Sequence, residues 1–146
     1  MTVPPDSQRI LIVDDDPASR ALLDEIFERH GFQVTHIDSV LAASELIARV
    51  RPTVILLDLA LPYRSGAGWL ARLRAEPATA DIPVVILSEM PDVLPRGRRR
   101  LAQALVQKPF KSGALVETVR AVCARARRAE AELTTDPAST PPRGLP

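Results

Sequence analysis

Runs of four or more apolar residues recur along the chain, bounded by polar residues, at Ile10–Val13, Val54–Leu57 and Ile82–Leu87. Runs apolar at every position, rather than every second one, predict parallel strands buried on both faces. Gln33–Ile37 and Ala104–Gln107 read as two further strands, and Pro83 falls near the start of its run, where a missing N–H is tolerated. Between these segments the period changes to that of a helix. Pro17 can open a helix with Asp16 as its N-cap; Leu22, Leu23, Ile26 and Phe27 form the apolar stripe, and His30-Gly31 is the stop. Ser39 can cap a second helix carrying Ala42, Ala43, Leu46, Ile47 and Val50, which Pro52 ends. Gly66–Glu76 predicts a short helix with Trp69, Leu70 and Leu73 inward. Ser112 can cap the last, with Leu115, Val116, Val119, Val122, Cys123 and Ala126 on one stripe.

One interval breaks the alternation. Between Ser88 and Ala104 a helix is expected, but Pro91, Pro95 and Gly97 interrupt it, and only Arg98–Gln103 reads as helical. The pattern therefore predicts an α/β fold: a doubly wound, five-stranded parallel sheet flanked by helices, with the helix before the fifth strand shortened or irregular.

At 146 residues the chain fits one domain with a real core. Prolines cluster at both ends, so residues 1–7 are expected to form a flexible arm, 8–128 the domain, and 129–146 a disordered tail. The 18 residues after Arg128 are too few for a further DNA-binding or catalytic domain. The net charge of +1 hides an asymmetry: residues 1–88 carry a balance of −4 and residues 89–146 a balance of +5. The basic half holds Arg96, Arg98, Arg99 and Arg100, then Arg125, Arg127 and Arg128. Direct nucleic-acid binding is not expected, because no aromatic residues interleave with the cations. A single cysteine precludes an internal disulfide, and Cys123 falls on a core stripe. The N-terminus lacks a secretion signal and no apolar stretch reaches the ~20 residues of a membrane span, so a cytoplasmic protein is expected.

The chemistry gathers at the ends of the apolar runs. Asp14, Asp15 and Asp16 follow the first strand, Asp58 ends the third, Ser88 follows the fourth and Lys108 the fifth. In an open parallel sheet the carboxyl ends of neighbouring strands converge on one crevice. Asp14, Asp15 and Asp58 with one ammonium there suit a hard divalent cation and a phosphoryl group. Gly66-Ala67-Gly68 is too loose for a phosphate loop, and His30 and His36 suggest no metal site.

On these motifs (Ile10 to Asp15, Leu56-Leu57-Asp58-Leu59-Ala60-Leu61-Pro62 with Gly66, Val85 to Ser88, and Lys108-Pro109-Phe110) the chain resembles the receiver domain of bacterial two-component response regulators over about residues 8–128. The resemblance implies a flavodoxin-like receiver fold in which Asp58 accepts a phosphoryl group from a phosphohistidine. It implies Mg²⁺ held by Asp15 directly, by Asp14 through water, by Asp58 and by the backbone carbonyl of Ala60. Lys108 and the Ser88 hydroxyl would each hold a phosphoryl oxygen. The Lys108-Pro109 peptide resembles one that is cis in the family, aiming the lysine inward. The implied partners are a sensor histidine kinase or histidine phosphotransfer protein and a downstream protein target, with the chain a monomer or a phosphorylation-linked dimer. It would be a signalling module catalysing only its own phosphorylation and dephosphorylation.

Four departures from the family's pattern stand out. Glu89 puts a bulky anion after Ser88, where a small residue is usual. Leu105 stands where an aromatic ring often moves with the switch. Ala60 and Met90 are apolar where polar residues often help water attack the acyl phosphate, which predicts a long-lived phosphorylated state. Leu101-Ala102 replaces a usual Gly-Ala pair, so the partner face that includes Arg96 to Arg100 is expected to be rewritten. Two other readings are open: a phosphorylation-independent adaptor with the same fold, and a dehalogenase-like phosphatase using Asp14-Asp15-Asp16.

Overall fold

A computed structural model describes residues 8–38, 43–59, 64–89 and 101–135. The elements are β1 (Arg9–Val13), α1 (Pro17–Arg29), β2 (Gln33–Ile37), α2 (Ala43–Val50), β3 (Val54–Leu59), α3 (Arg64–Ala75), β4 (Val84–Ser88), β5 (Ala104–Gln107) and α4 (Ser112–Thr135). All strands are parallel, in the order β2-β1-β3-β4-β5. The chain winds outward from β1 in one direction and from β3 in the other. Their carboxyl ends therefore flank the switch point where such sheets open a crevice.

Period-two alternation divides the core into two layers. Ile10, Ile12, Val54, Leu56, Val85 and Leu87 face α1 and α4, meeting Leu23, Ile26, Phe27, Leu115, Val119 and Cys123. Leu11, Val13, Ile55, Leu57, Val84 and Ile86 face α2 and α3, meeting Ala43, Ile47, Trp69, Leu70 and Leu73. The strands are apolar at successive positions because each face has its own cover. Phe27 and Phe32 add an edge-to-face pair at 5.1 Å beneath α1.

The caps of α1 follow the local chemistry. The Asp16 side chain accepts from the Ala18 N–H, and Pro17 occupies the first helical position. His30 closes the helix, and Gly31 follows at φ 86°, a left-handed turn that glycine adopts without steric cost. Cys123 is buried and free; burial pushes its thiol up to about 11, against the pull of Arg127.

Several boundaries differ from those expected. α4 runs to Thr135, past residue 128, because Ala129 to Glu132 are strong helix formers and the next breaker is Pro137. β3 extends through Leu59, which pairs with Ser88. β4 starts at Val84, not Ile82, because the Ile82 N–H is bound to the Thr79 carbonyl in the preceding turn. Leu22, expected on the apolar stripe, is 52% exposed, since Leu23, Ile26 and Phe27 already fill the face toward the sheet. Of the expected helix Arg98–Gln103, residues 101–103 form a turn; residues 98–100, like Ser39 and Ala42, lie outside the described residues.

That turn is pinned from two sides. The Gln103 N–H donates to the Val84 carbonyl at 2.9 Å, and its Oε1 accepts from the Val84 N–H at 2.7 Å. Arg74, on α3, donates to the carbonyls of Leu101, Ala80 and Ile82 and to Gln103 Oε1 at 2.6–2.9 Å. One guanidinium thus ties α3 to the approaches of both β4 and β5. Replacing Arg74 with Ala should lower stability by about 2–4 kcal/mol, since four acceptors lose a charged donor. In urea unfolding the midpoint should fall with the slope unchanged.

Candidate functional site

Alternation decides which side chains meet at the crevice. Counting in twos along β1 from Ile10 and Ile12 reaches Asp14, and along β3 from Val54 and Leu56 reaches Asp58. Counting from Ala104 and Val106 past β5 reaches Lys108. All three therefore emerge on the α1–α4 side of the sheet. Backbone bonds lock the ends together: Asp14 N–H to Ile37 O at 3.0 Å, and Lys108 N–H to Ser88 O at 2.9 Å.

The Lys108 ammonium lies 2.5 Å from Asp58 Oδ2. The Asp58 side chain has no exposed surface, whereas Lys108 retains 21%. The intervening Lys108-Pro109 peptide is cis. Ser19, in the first turn of α1, donates its hydroxyl to the same Asp58 oxygen at 3.3 Å. Ser19 carries no signature in the sequence, where a serine at the third position of a helix reads as part of the cap.

Asp14 is buried, and its Oδ1 accepts from the Asp16 N–H at 2.9 Å. Its Oδ2 has no hydrogen-bond partner, and neither has Oδ1 of Asp58. Burial pushes the Asp58 carboxyl up to about 6; Lys108 pulls it down through its hydrogen bond and charge, and Asp14 pushes it further up, by its charge and by a contact in which the two carboxyls share a proton when one is protonated. Two buried carboxylate oxygens without donors are an arrangement that a hard, oxygen-seeking cation would satisfy. Among the described residues no group of three or more acidic, histidine or cysteine side chains forms a closed metal cage. A cation here would also need backbone oxygen or water.

The other candidates fall into place unevenly. Asp15 is exposed at the rim beyond β1. Ser88 is fully buried at the end of β4, but on the opposite parity, shared with Val84 and Ile86. Leu105 is half-buried against the α2–α3 core layer that contains Trp69, and Glu89 is exposed. Ala60, Met90, Arg96, Arg98, Arg99 and Arg100 lie outside the described residues. Both histidines have partners: His30 Nδ1 is 2.7 Å from the Ile26 carbonyl, and His36 is 2.9 Å from Asp24. A cleft of about 420 Å³ lined by Gln8, His30, Phe32, Arg120 and Arg127 lies at the amino-terminal ends of β1 and β2, away from the carboxylates.

The profile of the response regulator receiver domain family matches residues 10–120. The chain belongs to that family. It is 37% identical over 127 residues to the DNA-binding response regulator MtrA of Mycolicibacterium smegmatis, covering 86% of this chain and 53% of MtrA. It is 31% identical over 118 residues to the protein PilH of Pseudomonas aeruginosa, covering 80% of this chain and 98% of PilH. Apart from such short relatives, the chain spans about half the length of the first curated relatives it matches. The fold also matches the receiver domain of a sensor histidine kinase from Pseudomonas aeruginosa PAO1, a structure with magnesium in its active site cleft. That match has a TM-score of 0.69 and 24% identity, covering 81% of this chain and 98% of the other. Among the described residues no helix is long and apolar enough to cross a membrane.

The raised Asp58 carboxyl makes stability depend on pH. Between its ordinary value of 3.8 and about 6, the folded chain holds a proton that the unfolded chain has lost. Stability from this group is therefore full below about pH 4 and falls as pH rises to about 6. In metal-free buffer Asp58→Asn should be more stable than the parent above pH 6, by about 3 kcal/mol, with the gap closing toward pH 4. Thermal midpoints across that range test it; a gap independent of pH would rule the assignment out.

Proposed function

We propose that the chain is a single-domain response regulator whose Asp58 accepts a phosphoryl group from a phosphohistidine on a sensor kinase or phosphotransfer protein. The observation that carries this reading is the Asp58–Lys108 pair at 2.5 Å beside two partnerless oxygens, one on Asp58 and one on Asp14. An Asp58 oxygen forms a bond to phosphorus as the P–N bond breaks, and the electron pair leaves with the donor imidazole. Lys108, held within reach of that carboxylate, is available to neutralise a phosphoryl oxygen as charge moves onto the site. Ser88, at the end of the adjacent strand, would supply a hydroxyl to another.

Asp14, Asp15, Asp58 and the Ala60 carbonyl would hold Mg²⁺, and the two orphaned oxygens support that assignment for Asp14 and Asp58. When bound, the ion offsets the repulsion between the acidic pocket and an incoming phosphoryl group. The chain would work in the cytoplasm and act on no substrate beyond its own aspartyl phosphate. Its output would be a protein contact or onward relay, through the face around residues 89–103, β5 and the start of α4. We assign Glu89, Met90 and Arg96 to Arg100 to that output on the sequence alone, and Leu105 would transmit the change through packing. The apolar Ala60 and Met90 would slow attack by water.

Incubation with Mg²⁺ and a small acyl phosphate, followed by intact-mass measurement, should show one phosphoryl addition that Asp58→Asn abolishes. Lys108→Ala should slow the addition by at least about tenfold. After donor removal the adduct should persist for many minutes. Absence of addition even with phosphorylated histidine-containing partners would instead favour a phosphorylation-independent adaptor.

A further inference from the structure

We infer that Ser19 is a positioning residue that orients Asp58 for phosphoryl transfer, an inference that rests on the receiver reading above. The Ser19 hydroxyl and the Lys108 ammonium reach one and the same oxygen, Asp58 Oδ2, at 3.3 and 2.5 Å. They come from α1 and from the end of β5. The terminal torsion of an aspartate is otherwise broad and roughly two-fold, so either oxygen could face the crevice. Two donors on Oδ2 remove that degeneracy. Oδ1, without a hydrogen-bond partner, is then chemically distinct from Oδ2 before any phosphodonor arrives.

The helix does not need Ser19 for its own stability. Asp16 already caps α1 by accepting from the Ala18 N–H, and Pro17 brings no N–H to satisfy. In the first turn Ser19 has no preceding helical turn whose carbonyl its hydroxyl could take. Instead it reaches an acid 39 residues away. The same helical turn is fastened to the other buried carboxylate, because Asp14 Oδ1 accepts from the Asp16 N–H. The first turn of α1 thus holds both buried acids in a fixed relation, one by a backbone donor and one by a side-chain donor.

During transfer Ser19 keeps its proton. Its part is to hold the carboxylate plane while the O–P bond forms and the P–N bond breaks. A contact of 3.3 Å implies a modest share of the rate. The experiment compares the full chain with Ser19→Ala and Ser19→Thr, phosphorylated by a small acyl phosphate with Mg²⁺ and followed by intact mass over time. Ser19→Ala should phosphorylate about 5- to 10-fold more slowly, and Ser19→Thr, which keeps the hydroxyl, should return to within about two-fold of the parent. In metal-free buffer, thermal unfolding of Ser19→Ala, Asp58→Ala and the double variant should show that removing Ser19 lowers the midpoint only when Asp58 is present. A parental rate in Ser19→Ala, failure of Thr to rescue, or additive midpoints would each overturn the inference while leaving the receiver reading intact. A parent chain that takes no phosphoryl group from any donor would overturn both.

Discussion

A carboxylate enclosed within a parallel sheet is the constraint around which the site is arranged, and its pairing with Lys108 is what makes the enclosure tolerable. An isolated buried carboxylate would simply hold its proton. Lys108 offsets part of that penalty, yet Asp58 still carries a carboxyl raised to about 6. The balance is deliberate in a physical sense: full compensation would give an inert ion pair, and none would give a neutral acid. What remains is a buried carboxylate that Lys108 compensates only in part.

Much of this was legible in the sequence because the sheet's period is two and its strands are short. Once Ile10–Val13, Val54–Leu57 and Ala104–Gln107 are read as strands, Asp14, Asp58 and Lys108 follow at their carboxyl ends on one face without further assumption. Gln33–Ile37 and Ala104–Gln107 match their observed bounds because Gly31 and the Lys108-Pro109 pair punctuate them. Ser19 was not legible, because its role depends on where α1 points after Asp16 and not on any residue beside it. The Arg74 tie was equally hidden, being assembled from carbonyls at residues 80, 82 and 101 that carry no side-chain signal. α4 reaches past residue 128 because Ala129 to Glu132 favour helix and the prolines that signal a tail begin only at Pro137.

The two ends of the sheet are organised on different principles. At the carboxyl ends, buried oxygens of Asp14 and Asp58 go without donors beside the Lys108 ammonium. At the amino ends, Arg74 and Gln103 satisfy the backbone of the approaches to β4 and β5, while Thr53 and Arg9 exchange side-chain and main-chain bonds between β3 and β1. Such a division keeps the scaffold rigid where nothing needs to change.

The shape of α4 carries a mechanical consequence. Its buried stripe ends at Cys123, yet the helix continues without interruption to Thr135. Beyond Arg127, which still lines the cleft with Gln8 and His30, residues 128–135 form an extension of about 12 Å. A pivot of roughly 10° at the packed part would swing the far tip through about 2 Å on that length. A displacement too small to notice inside the crevice would thus be magnified into one that a neighbouring molecule could sense.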